Sequence, residues 1–211
     1  MDDREQSPGE EFANSLSHGL ALLVALVAVP YLLLNATLSS GMAFTGIVVF
    51  ATTMLLLYLV STLYHALPPG RAKRVLLRLD YGAIFLFIAG SYTPFALGAP
   101  AAAHDGSLLA LVWLVAGAGF VLKAGGYLSH PRVSTGLYLA MGWLVLVAAL
   151  PMIAQLPRPG VQWLLAGGLA YSVGVIFFVL DARMRYAHSV WHGFVTAGTG
   201  CHFLAVLSLA G

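Results

Sequence analysis

Two histidines stand four residues apart late in the chain, His188 and His192. On a helix this spacing puts both imidazoles on one face, about 6 Å apart along the axis. Such a pair is half of a common metal site. A third ligand from another segment would complete a tetrahedral zinc site with one position open to water. His65 is the candidate third ligand, and Ser61 lies one helical turn before it on the same face. Asp80 could bind the ion directly, or hold its water as a base, as in metal-assisted hydrolysis. Ser61 could orient His65 or touch substrate. The His-x3-His spacing alone is a weak motif, and single histidines near helix ends commonly just sit at the headgroup level.

What must position these residues is a set of membrane-spanning helices. Apolar residues make up 60% of 211 positions and charged residues 9%. A soluble domain has about 45–50% apolar and about 25% charged residues. So few charges cannot cover a water-facing surface, and lipid is the simple alternative. The single cysteine, Cys201, excludes an intrachain disulfide. A spanning helix needs about 20 mostly apolar residues. Seven such runs are present, at residues 16–35, 42–65, 80–97, 107–126, 133–151, 161–180 and 189–210. Turn chemistry separates them, including Pro68-Pro69-Gly70 and His130-Pro131. The expected architecture is an all-α integral membrane bundle of seven helices. Residues 1–10 form a short tail and 11–211 a single domain, and no leader peptide to be removed is expected. Pro94 should kink the third helix. Small residues inside the spans, such as Gly117 and Gly168, favour close helix packing. Glycine-rich faces on the fourth and sixth helices could support a homo-oligomer or only internal packing.

Basic residues give the orientation. With seven spans, the N-terminus shares a side with Arg71, Lys73, Arg74, Arg78, Lys123, Arg132, Arg183 and Arg185, besides Arg4, and the other side holds Arg158 alone. Basic loops stay in the cytoplasm, so the N-terminus is expected inside and the C-terminus outside. His65 then ends a helix running inward, while Asp80, His188 and His192 begin helices running outward. All four meet one depth, near the cytoplasmic face, and ionisable groups in a span are costly enough to suggest function. Glu11, Asn14 and His18 step by three and four along one side of the first helix, at the same face. They could line the entrance, support the site from behind its ligands, or cap and anchor that helix. His202 lies roughly 15 Å deeper than His192. It is too far to share an ion and is read as a hydrogen-bonded interior residue, with a proton relay as the lesser alternative.

Four short motifs carry a resemblance across nearly the whole chain after residue 10. Glu11-x2-Asn14-x3-His18, Ser61-Thr62-Leu63-Tyr64-His65, Leu79-Asp80-Tyr81 and His188-Ser189-Val190-Trp191-His192 stand in the order found in the progestin and adipoQ receptor family. Arg71-Ala72-Lys73-Arg74 and Ser91-Tyr92-Thr93-Pro94 resemble its bacterial hemolysin III branch. The resemblance implies seven helices and a zinc ion near the cytoplasmic side, held by His65, His188 and His192, with Asp80 holding a water. It also implies hydrolysis of a lipid amide, as in the related alkaline ceramidases. The loop between His65 and Asp80 is short, and no large N-terminal domain precedes the first helix, so receptor signalling is not expected to transfer.

Two functions compete, beside a third reading, a purely structural or sensing membrane protein with a vestigial site. One is a zinc-dependent hydrolase in the cell membrane, acting on a lipid whose acyl chain enters from the bilayer. The other is a channel, cytolytic pore or regulator of membrane state in which zinc is structural. Membrane lipids are the expected partners and nucleic acid is not. Beyond His202, Thr196 and Thr199, the outer half offers few polar groups for a continuous path.

Overall fold

A computed structural model describes residues 5–36, 41–98, 106–128, 130–148 and 158–210. Seven helices are found among them: α1 (Pro8–Asn35), α2 (Gly41–Ala66), α3 (Arg71–Gly98), α4 (Gly106–Ala124), α5 (Pro131–Ala148), α6 (Arg158–Leu180) and α7 (Ala187–Ala210). No strand occurs among the described residues. Six of the seven are long and apolar enough to cross a bilayer, and α5 is a shorter apolar helix. The outward faces are themselves apolar: Val27, Leu34 and Leu114 are each more than two-thirds exposed. A helix that is apolar all round belongs in lipid or in a large core, and the protein is a multi-pass membrane bundle. Arg4, the side chain of Arg132, residues 37–40 and most of the breaks expected at residues 98–106 and 152–160 lie outside the described residues.

Local chemistry sets the helix ends that matter for the site. Ser7 caps α1 in a reciprocal capping box: its side chain accepts from the Glu10 N–H, and its own N–H donates to Glu10 Oε2 at 3.0 Å. Pro8 occupies the first turn, where a missing N–H is harmless. The third helix starts earlier than its apolar span. Arg71, Lys73, Arg74 and Arg78 belong to α3 rather than to a loop, and only residues 67–70 connect it to α2. Hydropathy marks only the lipid-buried part of a helix, whereas Arg, Ala, Lys and Leu are all good helix formers and prolong it into the polar boundary. Asp80 therefore sits in the third turn of α3, not at its start.

Helices α2 and α3 pack along each other, as do α6 and α7, while α1 and α3 both touch α7. Phe50, Phe85, Leu32 and Val206 are fully buried between them. The α2–α3 approach depends on Gly46, where a Cβ would lie 2.7 Å from the Pro94 Cα. Pro94 lies inside α3, which continues past it to Gly98. Other small residues divide: Gly119 packs on Phe85 and Gly174 on Trp191, whereas nothing approaches a Cβ at Gly117 or Gly168. Short connections and this packing bring the start of α1, the end of α2, the start of α3 and the start of α7 to one end of the bundle. The described basic residues other than Arg158 lie toward that end as well.

Candidate metal centre

His65, His188 and His192 come together at that end. Their ligand nitrogens all lie within 4.8 Å of one another, and all three residues are buried. The ring centroids are 5.1 Å apart for His65–His188 and His65–His192, and 4.7 Å for His188–His192. They could hold a metal ion. The hydrogen bonds behind the rings decide how they present themselves. His65 Nδ1 meets Glu11 Oε2 at 2.7 Å, and His188 Nδ1 meets Asp181 Oδ2 at 3.1 Å. A carboxylate only accepts, so each Nδ1 carries the proton. His192 Nδ1 lies 2.9 Å from Ser17 Oγ and 3.2 Å from the Asn14 carbonyl. The Ser17 proton is committed to that same carbonyl at 2.8 Å, so His192 Nδ1 is also the donor.

All three rings therefore hold a proton on Nδ1 and a lone pair on Nε2. His65 Nε2 is buried with no protein partner. Lone pairs converging in an apolar setting repel one another, and a buried unsatisfied acceptor costs about 1–3 kcal/mol. A cation between them answers both problems. Ligating histidines characteristically donate their other nitrogen to a carboxylate or backbone carbonyl, which fixes the tautomer. The residues present thus fit a metal on their donor chemistry: three neutral imidazoles, each tied from behind.

The positions of the remaining expected residues are specific. Asp80 is buried, lies beside Ser61 and within electrostatic reach of His188, and stands outside the three-histidine group. Ser61 does not orient His65. Its hydroxyl lies 2.8 Å from His18 Nδ1, while Glu11 orients His65. The reason is axial: one helical turn puts Ser61 deeper than His65, level with His18 rather than with Glu11. His18 stacks on His192, with centroids 3.5 Å apart and planes 7° from parallel. Glu11 also takes Lys73 at 2.9 Å. Asn14 serves through its backbone carbonyl to His192, and its side chain accepts from Ser189 at 2.5 Å. Glu11 and Asn14 contact the histidines from behind, His18 contacts Ser61 and also lines the cavity, and helix capping falls to Ser7 and Glu10.

Sequence reasoning missed Asp181 and Ser17. Asp181 closes an apolar span just before the short turn leading to His188, which was the available signal. Ser17 is one turn from Asn14 on the same helix, where any serine would look ordinary. The turn before α7 is also pinned: Tyr186 adopts a left-handed φ of 60°, and its N–H donates to Glu10 Oε1 at 2.9 Å. A non-glycine residue in that region persists where its surroundings hold it. Gln6 donates to Asp181 at 2.9 Å and accepts from Asn14 at 2.5 Å. The start of the chain is thus bonded to the partners of two of the three histidines.

A cavity of about 190 Å³ opens from this cluster. His18, Ser61, Asp80, His188 and His192 line one end of it; Ile84, Ile88, Phe95, Leu139 and Leu164 line much of the wall; Tyr171 and His202 stand deeper. His65 sits behind, off the wall. The arrangement is a mainly apolar space that ends at a polar cluster.

The fold and this centre define a class: multi-pass helical membrane proteins with a buried three-histidine cluster at one end of the bundle. Within it, the chain belongs to the haemolysin-III related family, whose pattern it matches over residues 7–203. It is 38% identical to the hemolysin-3 homolog of Bacillus subtilis (strain 168), over 94% of this chain and 93% of that protein. It is also 38% identical to hemolysin-3 of Bacillus cereus, over 94% and 90%. The human monocyte to macrophage differentiation factor is 31% identical over 71% of this chain and 64% of its own length. The resemblance to the progestin and adipoQ receptor family, and to its bacterial branch, therefore holds.

Proposed function

We propose that this protein is a zinc-dependent membrane hydrolase of lipid amides, with its site at the cytoplasmic end of the bundle. The observation that carries the reading is the set of three imidazoles, each with Nδ1 tied from behind and Nε2 left over, at the mouth of an apolar cavity. His65, His188 and His192 would hold the ion. Bound there, zinc would polarise a carbonyl and bring the pKa of water toward about 7. The chain's own groups supply the rest. The cavity takes the acyl chain and excludes water from the reacting amide. The Asp80 carboxylate accepts the proton of the attacking water and passes it to the leaving amine. The Ser61 hydroxyl, held by His18 Nδ1, faces the substrate carbonyl. The basic bias of this end supports a cytoplasmic placement, with the N-terminus inside.

The test is metal content and hydrolysis of a fluorescent ceramide by the purified protein, wild type against His192→Ala. Zinc near one equivalent and turnover in the wild type, both lost in the variant, is the expected result. Turnover that survives loss of the metal would end this reading. The names of the two Bacillus relatives support a second reading, a membrane-permeabilising protein with structural zinc. Dye release from liposomes that persists in His192→Ala would favour it.

A further inference from the structure

The carboxylates behind His65 and His188 are held in different ways. Glu11 sits on the continuous helix α1, and its second partner is the Lys73 ammonium at 2.9 Å. Asp181 sits in the turn between α6 and α7, and its second partner is a neutral amide. Gln6 Nε2 donates to Asp181 Oδ2 at 2.9 Å, the same oxygen that accepts from His188 Nδ1 at 3.1 Å. Asp181 Oδ1 is buried and has no hydrogen-bond partner among the described residues. Apart from His188 itself, Gln6 is thus the side chain that fixes which way this carboxylate faces.

The partners of Gln6 orient its amide. A carboxylate only accepts, so the NH2 group faces Asp181 and the amide oxygen faces away. That oxygen accepts from Asn14 Nδ2, which leaves Asn14 Oδ1 to accept from the Ser189 hydroxyl. Asn14 is fully buried. The hydrogen bonds run from His188 through Asp181, Gln6 and Asn14 to Ser189, the neighbour of His188 in sequence, and each link is a donor meeting an acceptor. Position 6 therefore requires a donor at one corner and an acceptor at the other, which an amide supplies and a carboxylate does not.

The segment that carries Gln6 is itself seated on the same turn. Glu10 Oε1 accepts the Tyr186 N–H at 2.9 Å, and Glu10 is buried. A Cβ at Gly9 would lie 3.2 Å from the Tyr186 hydroxyl, so the two segments touch there as well. The contact of Gln6 with Asp181 is one of several that lay residues 6–14 against the approach to α7.

We propose that Gln6 is a positioning residue of the metal centre: its amide holds the Asp181 carboxylate that orients His188, and so sets how that imidazole presents Nε2 to a cation. Gln6 touches neither the ion nor a substrate. His65 depends less on such help, because the backbone of α1 already fixes Glu11. His188 depends on it more, because its carboxylate stands on a turn. This inference rests on the metal-centre reading but not on turnover.

The test is zinc affinity of the detergent-purified protein, by competition with a chelator, for one substitution in two backgrounds. Gln6→Glu keeps the acceptor for Asn14 and sets a second carboxylate against Asp181. In the otherwise wild-type protein it should weaken zinc binding about three- to tenfold, the range of one net hydrogen bond. In the Asp181→Asn background the same substitution restores the pair with its roles reversed: the new amide donates to the new carboxylate and keeps its oxygen for His188. There it should tighten binding at least about threefold relative to Asp181→Asn alone. An added charge or a general loss of stability would move both backgrounds the same way, so effects of one sign in both would overturn the proposal. Gln6→Met, which removes the donor without adding charge, should also weaken binding about three- to tenfold. A Gln6→Met affinity equal to that of the wild type would overturn the proposal even if the charged variants misfold. A wild type that binds no zinc would overturn it together with the metal centre. The expected pattern without any amide hydrolysis would sink the hydrolase alone.

Discussion

Replacing Glu11 with alanine removes a residue that touches no substrate and lies outside the three-histidine group. The structure nonetheless predicts a large effect on metal binding. The Glu11 carboxylate accepts from His65 Nδ1 at 2.7 Å and from Lys73 at 2.9 Å. Without it, His65 loses the partner that fixes its tautomer and aims Nε2 at its two neighbours. Loss of such a partner weakens metal binding about 10- to 100-fold, which is about 1.4–2.8 kcal/mol at 1.4 kcal/mol per factor of ten. The assay is competition for zinc against a chelator of known affinity, on detergent-purified wild type and variant. Lys73→Ala is the control: it removes the other partner of Glu11 but leaves His65 its acceptor, and should shift affinity less than about threefold. Helical content by circular dichroism should be unchanged in both. If Glu11→Ala binds zinc within twofold of wild type, the reasoning from hydrogen bonds to ligand presentation is wrong for this site.

Asp80→Asn should keep zinc near one equivalent and lose at least about 100-fold in amide hydrolysis, the range for a positioned acid–base group; coincident loss of the metal would make Asp80 a ligand. Gly46→Val should lower the thermal midpoint in detergent, with overpacking against the Pro94 backbone costing about 1–3 kcal/mol; an unchanged midpoint would mean that α2 and α3 are not held at this distance. A periplasm-active reporter fused after Gly211 should be active and a cytoplasm-active one silent; the reverse would turn the bundle over and place the metal centre outside.

Much was legible in residue types and spacing. Membrane residence follows from composition, because 18 charges cannot hydrate a 211-residue surface. The helix count follows from apolar run length, and the shared depth of His65, Asp80, His188 and His192 follows from counting spans. The i, i+4 pair and its third partner were readable because helical periodicity is local. What only the tertiary structure decided is which groups meet sideways. The partner of Ser61 is His18 rather than His65, and the carboxylate behind His188 is Asp181, because which side chains face each other across helices is set by packing at places such as Gly46–Pro94. The start of α3 at Arg71 escaped the hydropathy reading for a different reason: charged helix-forming residues extend a helix beyond the bilayer without leaving an apolar trace. Spacing along one chain determines depth, and contact across chain segments determines chemistry.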